Sequence, residues 1–245
     1  MSRFFVKQEN INGNIAKITG EDVKHISTVL RNKIGDTVIL CDGKGKDYEG
    51  EFLSFSKNEI NVKINKTFKN ITEPNCKVTL YQALPKGDKS EIIIQKCVEL
   101  GIFKIVFFIS NRCISKPNDK SIVSKLERWN NISLSAAKQC DRGIIPKIEF
   151  NKNFSDVLIK AKQADLKVLF YEGEGTKPIK QILKSVKKPN DFSFIIGSEG
   201  GFEQDEVLLA KENGLEIGGL GKRILRTETA PICALSAFMY ETDNL

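Results

Sequence analysis

Between Leu220 and Ala230 the chain reads Leu-Gly-Lys-Arg-Ile-Leu-Arg-Thr-Glu-Thr-Ala. Arg226, Glu228 and two threonines, Thr227 and Thr229, stand among apolar residues and run into Pro231 and an apolar helix. Charged groups in such a place are costly unless they are paired or bind a ligand. A second segment, Ile196-Gly-Ser-Glu-Gly-Gly-Phe202, sets glycines directly behind the β-branched and aromatic run Phe192–Ile196. Glycine after a strand lets backbone N–H and C=O groups approach a ligand with no side chain between. The two loops, about twenty residues apart, predict one shared pocket lined largely by backbone. Neither holds a G-x-G-x-x-G or a lysine-terminated phosphate loop, so the pocket is expected to take something other than a dinucleotide or a nucleotide triphosphate.

Other residues of chemical interest are scattered. Leu84-Pro-Lys-Gly-Asp-Lys-Ser-Glu91 leaves a strand and opens a helix, which puts Lys86 and Lys89 beyond a strand C-terminus, where open α/β sheets bind ligands. Gln139 and Arg142 close a long helix and suit a base edge or a phosphate. Tyr171 and Glu172 follow another strand and offer a further pocket wall. Near the N-terminus, Arg3, Lys24, His25 and Arg31 form a basic set. His25 is the single histidine, and the six cysteines include no C-x-x-C pair. No metal is therefore expected, and neither a Ser-His-Asp nor a Cys-His mechanism. Scattered cysteines with no apolar leader segment predict reduced thiols and a cytoplasmic protein.

The elements that must position these residues change character along the chain. Lysine and arginine outnumber aspartate and glutamate by 38 to 31, a net charge of +7, which favours a polyanionic partner, nucleic acid first. Up to about residue 70 the pattern is β: Asn14–Ile18, Thr37–Cys41, Tyr48–Phe55 and Glu59–Phe68, with turn residues between. One short helix follows Thr19, with Asp22 in capping-box spacing. Several short strands and one helix predict a small barrel. Residues 69–75 are polar, contain Pro74 and read as a linker. Beyond them, strands at Val78–Leu84, Ile105–Ile109, Val168–Tyr171 and Phe192–Ile196 alternate with helices at Lys89–Leu100, Ser121–Gln139, Ser155–Ala164, Ile179–Ser185, Asp205–Asn213 and Pro231–Glu241. That alternation predicts an α/β domain with a largely parallel sheet.

With these residues in view, Gly197-Ser-Glu-Gly-Gly-Phe202 followed by Leu220-Gly-x-Arg-Ile-Leu-Arg-Thr-Glu-Thr-Ala230 resembles the ribosomal RNA small subunit methyltransferase E family of the SPOUT superfamily. His25 through Val29-Leu30-Arg31 to Gly35-Asp36 fits the same family, as do Leu84-Pro-Lys86, Gln95-Lys96 with Glu99-Leu-Gly101, and Gln139 with Arg142. The chain departs from the family pattern at Ser198, where proline is usual, at Lys138, where glutamate is usual, and at Asp141, where glycine is usual.

The resemblance implies a PUA-like β-barrel over residues 1–72 that binds RNA, and a SPOUT-type α/β domain over 73–245 with a C-terminal trefoil knot. It implies a homodimer, S-adenosylmethionine as methyl donor with no metal, and N3 of a uridine in small-subunit ribosomal RNA, free or in the assembled subunit, as acceptor. The cofactor would lie against Tyr171, Glu172, Ile196, Gly197, Ser198, Glu199, Gly200, Gly201, Leu220, Gly221, Ile224, Leu225, Arg226 and Thr229. Negative charge developing on the uracil ring calls for a fixed guanidinium, with Arg226 the first choice, Arg142 the second and Lys86 the third. Glu228 would orient Arg226 or accept the N3 proton through water. Arg3, Lys24, His25, Arg31, Lys86, Gln139 and Arg142 would contact RNA. Two alternatives stay open: a catalytically silent RNA-binding assembly factor, and a knotted methyltransferase acting at another RNA position.

Overall fold

The computed structural model describes residues 2–186 and 189–245. The chain divides into two units. The first comprises Met1–Glu73 together with Ala137–Ile145, and the second Pro74–Ala136 with Pro146–Leu245.

The first unit holds β1 (Ser2–Phe5), β2 (Ile11–Asn12), β3 (Ile15–Thr19), α1 (Glu21–Lys24), β4 (Thr37–Cys41), β5 (Lys46–Phe55) and β6 (Glu59–Lys69). They form one six-stranded sheet in the order β1-β4-β5-β6-β3-β2, antiparallel except for the β1–β4 pair. Period-2 alternation sends Ala16, Ile18, Ile60 and Val62 to one buried face, where they meet Val38, Leu40, Phe52, Val23 and Ile26. Arg3 lies within β1, a strand too short and too near the terminus for pattern reading. The helix after Thr19 is not capped by a capping box. Gly20 occupies its N-cap with no side-chain bond, and the chain passes straight into a π-helical turn, His25–Leu30.

The segment read as a linker is tied into this unit. Asp47 is 3% exposed and takes both guanidinium arms of Arg3, at 3.0 and 2.7 Å, and Asn70 Nδ2 at 2.9 Å. Asn70 Oδ1 in turn accepts the Thr72 N–H at 2.9 Å. Glu73 pairs with Arg142 through Nε–Oε1 at 3.1 Å and Nη2–Oε2 at 2.6 Å, and accepts the N–H groups of Gly143 and Ile144. Buried charges persist when paired and hydrogen-bonded, so residues 137–145 belong to the first unit although they lie far along the chain. Burial also pushes the Cys41 thiol, which donates to Gly143 O, up to about 11.

The second unit comprises β7 (Lys77–Ala83), α2 (Lys89–Glu99), β8 (Lys104–Phe108), most of α3 (Asp119–Gln139), β9 (Lys147–Asn151), α4 (Phe154–Ala161), β10 (Leu166–Phe170), β11 (Lys177–Pro178), α5 (Ile179–Ser185), β12 (Asp191–Ile196), α6 (Gln204–Glu212), β13 (Glu216–Gly219) and α7 (Thr229–Glu241). Its sheet is parallel throughout, ordered β11-β13-β10-β12-β7-β8-β9. Sheets covered on both faces carry near-continuous apolar strands. Accordingly Phe192–Ile196 is buried throughout, and Phe192 stacks on Phe238 of α7 with ring centres 4.3 Å apart. Strand β13, Glu-Ile-Gly-Gly, escapes sequence reading because glycine is poor in strands. A β-carbon on Gly218 would stand 2.8 Å from Val168 Cγ1 and 3.0 Å from Ile182 Cδ1, so the glycine marks a close approach. From β7 the chain steps outward through β8 and β9, then returns to the other side of β7 for β10 and β12. Such a reversal opens a crevice beyond the strand C-termini.

Candidate active site

Strand β12 ends at Ile196, and the chain turns sharply: the Gly201 N–H donates to Ser198 O at 3.0 Å. Gly201 takes φ +67°, and a β-carbon there would run into the Glu172 carboxylate. A β-carbon on Gly197 would stand 3.0 Å from Gly201 Cα. The corner therefore needs glycine at both 197 and 201. The second loop, 220–228, is fastened to it by Thr227, which is 6% exposed and donates its hydroxyl to Gly197 O at 2.8 Å. Fully buried Gln82, near the end of β7, donates Nε2 to the same carbonyl at 3.0 Å and to Thr227 Oγ1 at 3.1 Å. One carbonyl thus joins two loops and a strand.

Between the loops lies a cavity of about 330 Å³, inside the range of roughly 300–1,000 Å³ usual for small-molecule sites. Phe170, Ile196, Leu220, Ile224 and Leu225 supply apolar wall; Tyr171, Glu172, Glu199, Arg226 and Lys89 supply polar wall. The Lys89 ammonium lies 2.7 Å from Glu199 Oε1 and 3.7 Å from Glu228 Oε2. The hydrogen bond to Glu199 raises the Lys89 pKa above its ordinary value. Burial alone would raise Glu199, but the bond from Lys89 and backbone N–H groups, Lys86 among them, hold it below the usual carboxylate range. Arg226 is exposed, and its guanidinium makes no hydrogen bond or ion pair among the described residues, while its carbonyl accepts the first N–H groups of α7. Among the described residues no cluster of His, Cys, Asp or Glu could hold a metal ion.

The structure brings together Tyr171, Glu172, Ile196, Gly197, Ser198, Glu199, Gly201, Leu220, Gly221, Ile224, Leu225 and Arg226 at one cavity. Gly200 is turned the other way: a β-carbon there would meet Arg112 Cβ at 3.0 Å, and Arg112 Nη1 donates to Gly200 O at 3.1 Å. Thr229 opens α7 outside the lining, and Glu228, at the helix N-cap, is also outside it and makes no bond to Arg226 among the described residues. Lys86 is exposed. Lys24, His25, Arg31 and Gln139 are exposed in the first unit, where Arg3 and Arg142 are held in the ion pairs already described. Lys89, Phe170, Lys222, Arg223, Thr227 and Ala230 also line the cavity. Of these, Lys89 was legible as a cation beyond a strand end, but Thr227 owes its place to contacts with Gln82 and Gly197, which no local pattern announces.

The RNA methyltransferase domain family matches residues 72–239, and the RNA methyltransferase PUA domain matches residues 18–65. The ribosomal RNA small subunit methyltransferase E of Bacillus subtilis is 37% identical, over 100% of this chain and 98% of its own. The chain belongs to the ribosomal RNA small subunit methyltransferase E family. Its relative from Mesomycoplasma hyopneumoniae is 34% identical over 96% of this chain and 98% of its own. The crystal structure of the family's Neisseria gonorrhoeae enzyme, bound to S-adenosyl methionine, is 30% identical and covers 98% of this chain and 97% of that one, with a TM-score of 0.83. The fold of this family member is thus a PUA-type unit followed by a parallel α/β methyltransferase unit.

Proposed function

We propose that this family member transfers a methyl group from S-adenosylmethionine to N3 of a uridine in small-subunit ribosomal RNA, as a cytoplasmic homodimer with the family's knotted C-terminal path. The observation that carries the reading is the cavity itself: a glycine-rich corner, an apolar wall and an arginine whose guanidinium has no partner among the described residues meet at one place. The fit to the cofactor is good. Gly197 and Gly201 line the cavity with backbone alone, and Ile196, Leu220, Ile224 and Leu225 offer the apolar surface that an adenine ring requires. When bound, S-adenosylmethionine supplies an electrophilic methyl group.

The chain's own residues do the rest. The loops hold donor and acceptor in one geometry, which replaces a bimolecular encounter by an intramolecular one. The acceptor nitrogen carries a proton that must leave, so negative charge develops on the uracil ring. Arg226, exposed at the cavity and without a side-chain partner among the described residues, stabilises that charge. Glu228, which makes no bond to the Arg226 guanidinium among the described residues, takes the proton. Lys24, His25 and Arg31, with Lys86 and Gln139, supply cationic and polar contacts to RNA.

The test is single-turnover methyl transfer to small-subunit ribosomal RNA, with the product located by mass spectrometry. Arg226→Ala is expected to lower the rate by about 10²-fold or more while cofactor affinity falls much less. Methylation at another atom would overturn the assignment to N3, and near-normal transfer by the variant would remove Arg226 from the chemistry.

A further inference from the structure

Lys89, Glu199 and Glu228 come from three separate segments: the first turn of α2, the turn after β12 and the N-cap of α7. Their contacts are unequal. Lys89 hydrogen-bonds to Glu199 at 2.7 Å, yet stands 3.7 Å from Glu228 Oε2, too far for a hydrogen bond. Glu228 Oε2 is closed off from solvent and accepts no hydrogen bond among the described residues. A buried carboxylate oxygen without a donor is costly, and such atoms in a native structure call for an explanation. The charged group that faces it is Lys89 from α2, and Lys89 in turn bonds to Glu199 of the β12 turn and feels the charge of Arg226. Lys89 thus balances the charge of Glu228 without occupying its lone pairs.

We propose that Lys89 is a positioning residue for methyl transfer: it holds the Glu228 carboxylate in place with Oε2 uncommitted, as the acceptor for a hydrogen-bond donor of the substrate that meets Glu228 when its side chain, 19% exposed, turns toward the cavity. The inference rests on the methyltransferase reading above. An ammonium suits the task because it is a compact point charge on a flexible stem and can be anchored by Glu199 while it faces Glu228. A hydrogen-bonded pair with Glu199 alone would suffice to brace the loop; the longer approach to Glu228 is what a purely structural lysine does not require.

The test compares Lys89→Met, Lys89→Arg, Glu228→Gln, Glu199→Gln and the doubles Lys89→Met/Glu228→Gln and Lys89→Met/Glu199→Gln. In the cofactor-free protein at neutral pH, the carbon-13 carboxyl resonance of Glu228, assigned by its loss in Glu228→Gln, is expected to move in Lys89→Met and much less in Lys89→Arg. In single-turnover transfer, Lys89→Met is expected to lose about tenfold to a hundredfold in rate, the scale of a misplaced group. S-adenosylmethionine affinity by calorimetry should change far less, and Lys89→Arg should recover most of the rate. In the Glu228→Gln background Lys89→Met should cost little further, whereas its cost should persist in the Glu199→Gln background. An unmoved Glu228 resonance, or additive losses with Glu228→Gln, would overturn the proposal. A wild-type protein that transfers no methyl group to RNA would instead overturn the functional reading, and the resonance comparison would still decide whether Lys89 governs Glu228.

Discussion

Replacing Arg142 by alanine is expected to unfold the first unit far more readily than it slows chemistry. The Arg142 side chain is 4% exposed and that of Glu73 12%, and the guanidinium meets the carboxylate through two bonds, at 3.1 and 2.6 Å. Removing one member of a buried pair costs about 3–5 kcal/mol, because the other is left uncompensated. Glu73 would keep the N–H groups of Gly143 and Ile144, which puts Arg142→Ala near the lower figure. Glu73→Ala, which removes the carboxylate from the guanidinium and from both amides together, should cost more. For a unit of about 80 residues, each kcal/mol lowers the unfolding midpoint by about 4–8 °C, so Arg142→Ala should lower it by roughly 12–24 °C. Arg142→Lys should recover only part of this, since an ammonium lacks the two-pronged geometry. The assay is calorimetric unfolding paired with single-turnover transfer well below the new midpoint, where the rate should stay within about threefold of wild type. An unchanged midpoint with a rate loss of about 10²-fold would refute the structural role and place Arg142 in the chemistry.

Gly201→Val should weaken S-adenosylmethionine binding by at least about tenfold, because a left-handed valine is strained by about 1–2 kcal/mol and its side chain displaces Glu172; Gly200→Ala, directed at Arg112, should weaken it much less, and equal losses in calorimetry would show the corner reasoning to be wrong. The Lys89–Glu199 pair should steady the fold across neutral pH. Because Glu199 is lowered and Lys89 raised, the contribution is present above the ordinary carboxylate pKa and lost as pH falls through the lowered value, and it is lost at the other end as pH rises through the raised lysine value; the gap in unfolding midpoint between wild type and Glu199→Gln against pH checks this. RNA affinity should fall steeply with salt, and Lys24→Ala with Arg31→Ala should reduce the slope of log K against log salt; a slope that stays the same would place the phosphate contacts elsewhere.

The loops of the candidate site were legible because their signals are local. Glycines follow a strand at 197–201, and charged residues interrupt an apolar run at 226–228; both break the patterns that ordinary packing would impose. Arg142 was not legible, because what decides its role is Glu73, which lies far back in the sequence in a stretch whose polar composition reads as a linker. The same holds for Gly200 against Gly201: adjacent and identical in type, they differ only in whether Arg112 or Glu172 faces them. The core strands of the second unit were read from their apolar runs, while β13 was hidden by glycines whose purpose is visible only once Val168 and Ile182 are placed beside them. Lys89 was noticed as a cation near a strand end, but its two carboxylate neighbours come from the far end of the chain.

The first unit is discontinuous, and that gives the protein a timetable. Asp47, Asn70 and Glu73 have left the ribosome's catalytic centre long before residues 137–145 are made. At roughly 5–20 residues per second, the missing strip follows several seconds later. Until then Glu73 has no Arg142 and no Gly143 or Ile144 amide to receive. The sheet itself can form, but the nascent first unit must wait for residues 137–145 while β7, β8 and α3 are synthesised, and translation that stalls or stops before residue 145 leaves Glu73 without these partners.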